Sequence, residues 1–133
     1  MAYGLPVERR NGPRLVGDEM RREFPLCLLT DSVGMARQAA YEMGMDVCPV
    51  LDEEGVVLGL CTRASLHAHP SINVELVMDP GPTTVRPSMP VEKAFKLMER
   101  DKIPLLLVTT PEGKLLGFFN HRGGAEAAEG SAP

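Results

Sequence analysis

No run of apolar residues in this chain approaches the ~18 that a membrane-spanning helix needs, so no membrane span is expected. The opening stretch MAYGLPVERRNGPR lacks the apolar segment that follows the basic start of a secretory signal. Cysteine is scarce: three residues, an odd number, without CxxC spacing. That usage fits a reducing compartment, and a cytoplasmic location is expected. An excess of positive charge is also missing. The formal net charge is -4, which argues against the clustered basic surface that nucleic-acid binding requires. Arg9, Arg10, Arg14, Arg21 and Arg22 do gather early, but Glu8, Asp18, Glu19 and Glu23 interrupt them, as on a solvated face. Catalytic signatures are absent as well. The glycines are dispersed, with no GxGxxG or P-loop run and no Gly-x-Ser-x-Gly nucleophile. The chain is not expected to be an enzyme.

What is present is an ordinary globular balance, 44% apolar and 24% charged over 133 residues, enough for one compact domain or two fused halves. Internal self-similarity is the most informative feature. With the chain slid against itself by 58 positions, residues 16–65 lie over 74–123 without a gap. Identities fall at Val16/Val74, Met20/Met78, Val33/Val91, Ala36/Ala94, Val50/Val108, Glu54/Glu112, Gly55/Gly113, Leu58/Leu116 and Gly59/Gly117. Nine matches in fifty exceed the roughly three that residue usage alone would give. Their placement matters more: they occupy apolar-periodic positions and turn glycines.

Each half carries the same order of elements. A short amphipathic helix leads, marked by Leu15, Glu19 and Met20 in one half and by Val74, Val77 and Met78 in the other. Prolines stop it, Pro25 in the first half and Pro80 and Pro82 in the second. Brief strands are expected at Leu26–Leu29 and Thr83–Arg86. A longer helix follows, with Val91, Ala94, Phe95 and Met98 forming one apolar stripe and Val33, Ala36, Ala40 and Met43 its counterpart. Asp31 is the expected N-cap of the first of these, and Pro90 suits the first turn of the second. Two strands close each unit, Val47–Leu51 with Val56–Cys61 and Leu105–Thr109 with Lys114–Phe119. The turns between them end in Gly55 and Gly113, where a positive φ is expected. A half of about fifty residues buries too little surface to stand alone. Two βαββ units packed across a pseudo-twofold axis are therefore expected on physical grounds.

The segments PVLDEEGVVLGLCTRASL and LVTTPEGKLLGFFNHRGG, with the preceding VMDPGPTTVRPSMPVEKAFKLMERDKI, resemble the CBS domain. The resemblance covers residues 15 to about 124. It implies an α/β (α+β) fold of tandem CBS repeats, a Bateman module. The expected organisation is an arm at 1–14, repeats at 15–68 and 69–124, and a flexible tail at 125–133.

The family places adenosine-containing ligands in two clefts between repeats. Apolar contacts to adenine come from the early strands of one repeat. Ribose and phosphate contacts come from a Gly-h-x-(Thr/Ser)-x-x-Asp segment of the other. Here the first copy of that segment runs from Gly59 to Ser65, keeping a hydroxyl at Thr62 but replacing the aspartate with Ser65. The second runs from Gly117 to Gly123, with Asn120 and Gly123 at those places. Neither cleft has the carboxylate that accepts both ribose hydroxyls. By resemblance, one cleft would use Thr62, Arg63 and Ser65 with Pro82, Ile103 and Leu105. The second, weaker cleft would use Asn120 and His121 with Phe24, Met45 and Val47. The apolar members of both sets could equally be core.

The implied ligand is an adenosine nucleotide (AMP, ADP or ATP) or one like S-adenosylmethionine. The implied role is regulatory sensing by a homodimer acting on an unknown protein target. The alternative is a degenerate pair that only dimerises or docks. No metal is expected. Cys27, Cys48 and Cys61 match Val85, Leu106 and Phe119 at the 58-residue offset, so they read as reduced, buried core residues. His67 and His69 read as incidental surface residues.

Overall fold

The structure is a computed structural model and describes residues 12–120. In chain order its elements are α1 (Val16–Glu19), β1 (Cys27–Leu28), α2 (Val33–Glu42), β2 (Cys48–Leu51) and β3 (Val57–Cys61). These are followed by α3 (Arg63–Leu66), a 3-10 turn (Val74–Leu76), β4 (Thr84–Val85), α4 (Val91–Asp101), β5 (Leu105–Thr109) and β6 (Leu115–Asn120). Two three-stranded sheets result, ordered β1-β2-β3 and β4-β5-β6. In each the first pair is parallel and the second antiparallel. The βαββ unit expected from the sequence therefore occurs twice.

Registers repeat at the 58-residue offset: Cys27 pairs with Val50 as Val85 does with Val108, and Cys48 with Cys61 as Leu106 does with Phe119. Gly55 and Gly113 adopt φ of 90° and 91°, which a β-carbon would disfavour. The two hairpins meet tip to tip. The Val57 N–H donates to the Gly113 carbonyl and the Leu115 N–H to the Gly55 carbonyl, both at 3.0 Å. These reciprocal bonds are what a pseudo-twofold axis requires.

Several local expectations need correction. Ser32, not Asp31, caps α2, its side chain accepting from the Met35 N–H at 3.2 Å. Asp31 instead accepts from the Leu28 N–H at 2.8 Å, bracing the turn out of β1. Pro90 stands just before α4, at the capping position, and not inside its first turn. The leading helices are shorter than expected. One is a single α turn and the other a 3-10 turn, because each has just one fully buried anchor, Val16 or Val74. The expected tail and residues 121–124 lie outside the described residues.

The leading segments also cross over. One core gathers Cys27, Val33, Ala36, Ala40, Cys48, Val50, Cys61 and Leu66 with Val74. The other gathers Val85, Val91, Ala94, Met98, Leu106, Val108 and Phe119 with Val16. Backbone bonds hold the exchange: the Val16 N–H donates to the Met89 carbonyl at 2.8 Å, and the Val74 N–H to the Asp31 carbonyl at 2.9 Å. Beyond each anchor, Arg21 pairs with Phe118 on β6 and Asp79 with Leu60 on β3, each through two backbone bonds. Repeats contiguous in sequence thus have cores that are not.

Candidate functional site

The crossover defines two equivalent corners, one where β3 ends at Thr62 and one where β6 ends at Asn120. Asp79 pairs antiparallel with Leu60, so the residues before it reach the Thr62 corner, where the Val77 carbonyl meets Ser65, and the chain beyond Asp79 leads the other way. Arg21 pairs antiparallel with Phe118 in the same way, and Arg22 follows beside Gly117, away from the Asn120 corner.

At the first corner Thr62 caps α3 in a reciprocal box. Its Oγ1 accepts from the Ser65 N–H at 3.3 Å, and Ser65 Oγ accepts from the Thr62 N–H at 3.1 Å. Ser65 is 7% exposed, and its hydroxyl donates to the Val77 carbonyl at 2.8 Å. With that proton committed, the 3.1 Å contact between the two hydroxyls has Thr62 as donor. Both hydroxyl protons are therefore spent inside the protein. Ser65 has no capacity left for a ribose, and Thr62 retains one acceptor lone pair. Arg63, by contrast, is exposed and makes no hydrogen bond or ion pair among the described residues.

The remaining residues divide between surface and core. Pro82, Phe24, Met45, Leu105 and Asn120 are half-buried, and Val47 is buried. Ile103 packs against the core of the second repeat. Leu105 and Asn120, which the resemblance assigns to different clefts, are direct partners across β5 and β6. His121 lies outside the described residues. The capping box was the feature most readily missed. Its signal, a hydroxyl three residues before another just after a strand, is visible in Thr62-Arg63-Ala64-Ser65.

Away from the corners, the three cysteines are free and buried, one from each strand of the first sheet. The hydrogen bond with Cys48, reinforced by burial, pushes the Cys27 thiol up to about 12, and its bond with Cys27 pushes Cys61 up as well. These thiols stay protonated near neutrality and are poor nucleophiles. No group of three or more His, Cys, Asp or Glu among the described residues is placed to hold a metal ion. His69 Nδ1 is bonded to Ser71, at 3.2 Å from its N–H and 2.8 Å from its hydroxyl. No helix among the described residues is long and apolar enough to cross a membrane.

Comparison with known proteins fits this geometry. Residues 74–123 match the family model of the CBS domain. Inosine-5'-monophosphate dehydrogenase of Korarchaeum cryptofilum (strain OPF8) is 35% identical over 90 residues, covering 66% of this chain. The chain spans 19% of that enzyme's length. Among solved structures, CBSX2 of Arabidopsis thaliana in complex with AMP is 25% identical, with 90% of this chain and 99% of that one covered and a TM-score of 0.76. The CBS domain pair of protein MJ0100, in complex with 5'-methylthioadenosine and S-adenosyl-L-methionine, superposes with the same TM-score at 19% identity, covering 90% and 99% of the two chains. Residues 74–123 are thus a CBS domain by family model, and the chain as a whole has the fold of CBS-domain pairs, with the unit present twice.

Proposed function

We propose that this CBS pair is a regulatory module that senses an adenosine-containing ligand, AMP, ADP, ATP or one like S-adenosylmethionine, and has no catalysis of its own. It would act as a homodimer on a protein target in the cytoplasm. The observation that carries the reading is the likeness over 90% of the chain to a CBS pair whose structure holds AMP, supported by the methylthioadenosine and S-adenosylmethionine complex of a second pair. At the Thr62 corner, Arg63, exposed and without a partner among the described residues, is the charge that would meet a phosphate. Thr62 contributes its remaining lone pair, and the resemblance assigns Pro82, Ile103 and Leu105 to the apolar side, although Leu105 pairs directly with Asn120 across β5 and β6. The Asn120 corner, with Phe24, Met45, Val47 and His121, is the weaker site.

Calorimetric titration with AMP, ATP and S-adenosylmethionine tests the proposal, alongside thermal melting, since a ligand that binds the native state raises stability by mass action. Arg63→Ala should weaken phosphate-bearing ligands by roughly 1.5–3 kcal/mol, the range for a hydrogen bond to a charged group. Thr62→Ala should weaken them by about 1 kcal/mol, and Asn120→Ala should have little effect. Equal losses at Thr62 and Asn120 would refute the assignment.

A second reading has its own observation. With Ser65 turned inward to the Val77 carbonyl and glycine at position 123, neither copy of the segment has a carboxylate at the place of the family's ribose-binding aspartate. On that reading the pair serves assembly alone, and no titration shows saturable binding.

A further inference from the structure

A four-residue helix does not hold itself together. Isolated helices shorter than roughly 12–15 residues are marginal in water, so α3 stands by what fastens it from outside. Its start is fixed by the Thr62–Ser65 box and by the Ser65 hydroxyl on the Val77 carbonyl. Its buried residues are Ser65 and Leu66, while Arg63 and Ala64 lie exposed on the outer side.

The end of α3 is fixed by a side chain from another helix. Arg37, in the middle of α2, donates from Nε to the Leu66 carbonyl and from Nη2 to the Ala68 carbonyl, both at 2.7 Å. A guanidinium presents its donors in one rigid plane, so two carbonyls two residues apart are held in a single orientation. Its positive charge also lies at the negative end of α3, where a cation is favourable. The chain just beyond is tied to the same helix. The Gly34 N–H donates to the Pro70 carbonyl at 2.9 Å and the Val33 N–H to the Ile72 carbonyl at 2.7 Å. Helix α2 is itself anchored in the core through Val33, Ala36 and Ala40. Arg37 therefore ties the end of α3 to the core of the first repeat.

The repeat supplies its own control. At the 58-residue offset Arg37 becomes Phe95, and Arg63-Ala64-Ser65-Leu66 becomes His121-Arg122-Gly123-Gly124. A phenyl ring cannot donate to a carbonyl, and glycine is a poor helix former. Phe95 packs against Phe119 instead. The βαββ backbone thus stands without an arginine at this place, and what Arg37 serves is local to the Thr62 corner.

We infer that Arg37 is a positioning residue for that corner: by clamping α3 it gives Arg63 a fixed backbone from which to meet a bound phosphate. Arg37 touches no ligand and acts through Arg63. The inference rests on the ligand reading proposed above, and the clamp itself is read without any ligand, so the two fail separately.

Hydrogen exchange and calorimetry on the intact chain test it, with ATP and adenosine as probes. In Arg37→Met the amides of Leu66, His67 and Ala68 should exchange about tenfold faster, as loss of a hydrogen bond from a charged group allows. The amides of β2 and β5 should be unchanged. ATP affinity should fall about fivefold, within the range for residues that modulate binding without touching the ligand. Adenosine, which has no phosphate, should bind the variant and the parent protein equally. In an Arg63→Ala background, Arg37→Met should cost ATP nothing further, because a residue that acts through another loses its effect with it. Arg37→Lys keeps the charge without the planar pair of donors, so it should restore only part of the ATP affinity. Unchanged exchange in Arg37→Met, losses that add to those of Arg63→Ala, an equal loss for adenosine, or full recovery in Arg37→Lys would each overturn the inference. A parent protein that binds no ATP, with α3 still loosened in Arg37→Met, would sink the ligand reading and confine Arg37 to fastening the helix.

Discussion

The two repeats share their backbone and divide the labour of their surfaces. In the first, the core-facing residues of β1, β2 and β3 include three thiols, and α2 exposes methionine and tyrosine. In the second, the matching core positions hold Val85, Leu106 and Phe119, and α4 is charged on its outer side. Aromatic packing appears in the second core, where Phe95 and Phe119 stack with centroids 5.5 Å apart. At the place of Phe95 the first repeat has Arg37, which donates to the Leu66 and Ala68 carbonyls at 2.7 Å and closes the end of α3. One copy is thus built around a larger apolar core. The other spends the equivalent positions on fastening a helix end and on an apolar outer face. Duplicated backbone physics leaves the side chains free to diverge wherever the sheet does not constrain them.

The largest expected effect tests the crossover where the copies are most alike. A β-carbon on Gly117 would fall on the Arg21 carbonyl oxygen, a backbone atom that cannot swing away. Gly117→Ala should therefore cost roughly 3 kcal/mol, read as a shift in the urea midpoint. At Gly59 the nearest obstacle is the flexible Met78 side chain, although the Asp79 carbonyl lies 2.9 Å from the added atom. Gly59→Ala should cost less, about 1–2 kcal/mol. Equal costs would show that both leading strands are held with the same stiffness.

Next in size are the exchanged anchors. Val16→Ala and Val74→Ala each empty a fully buried site in a core formed mainly by the other repeat, at roughly 2 kcal/mol apiece. Hydrogen exchange should localise the loss from Val16→Ala to β4, β5 and β6, and that from Val74→Ala to β1, β2 and β3. Loss confined to the repeat that supplies each residue in sequence would contradict the crossover.

The thiols separate the repeats by pH. Cys27 titrates ordinarily near 9.0 and is raised to about 12 in the fold. A raised folded value means the unfolded chain gives up its proton first, so the stabilisation is complete below pH 9.0 and lost as pH rises toward 12. Stability should fall by on the order of 1 kcal/mol per pH unit in that window. The fall should be shallower in Cys27→Val, whose new residue matches Val85 of the second repeat. Unfolding curves between neutral and alkaline pH check it.

The smallest effect concerns the helix ends. Gly44 after α2 and Lys102 after α4 occupy equivalent positions with φ of 69° and 57°. Glycine accepts this left-handed conformation without strain and lysine does not. Lys102→Gly should stabilise the protein by about 0.5–1 kcal/mol, seen as a raised melting temperature.

The sequence alone determined whatever depends on near neighbours. The apolar stripes of α2 and α4 follow from 3.6-residue spacing, and the two hairpins from glycine at Gly55 and Gly113. The pairing of one half with the other follows from a constant 58-residue offset. The buried state of Cys27, Cys48 and Cys61 followed from their apolar counterparts. Tertiary structure decided what depends on partners distant in the chain. Nothing in Val16 or Val74 announces which core each will enter, because an apolar side chain is satisfied by any dry site of the right size. Ser65 resembled a ligand residue until the fold brought the Val77 carbonyl within reach of its hydroxyl. Asp31 lost the cap of α2 to Ser32 because the backbone turn after β1 gave its carboxylate the Leu28 N–H instead. Local periodicity is written in spacing, whereas the choice among competing hydrogen-bond partners is made only when the chain has folded.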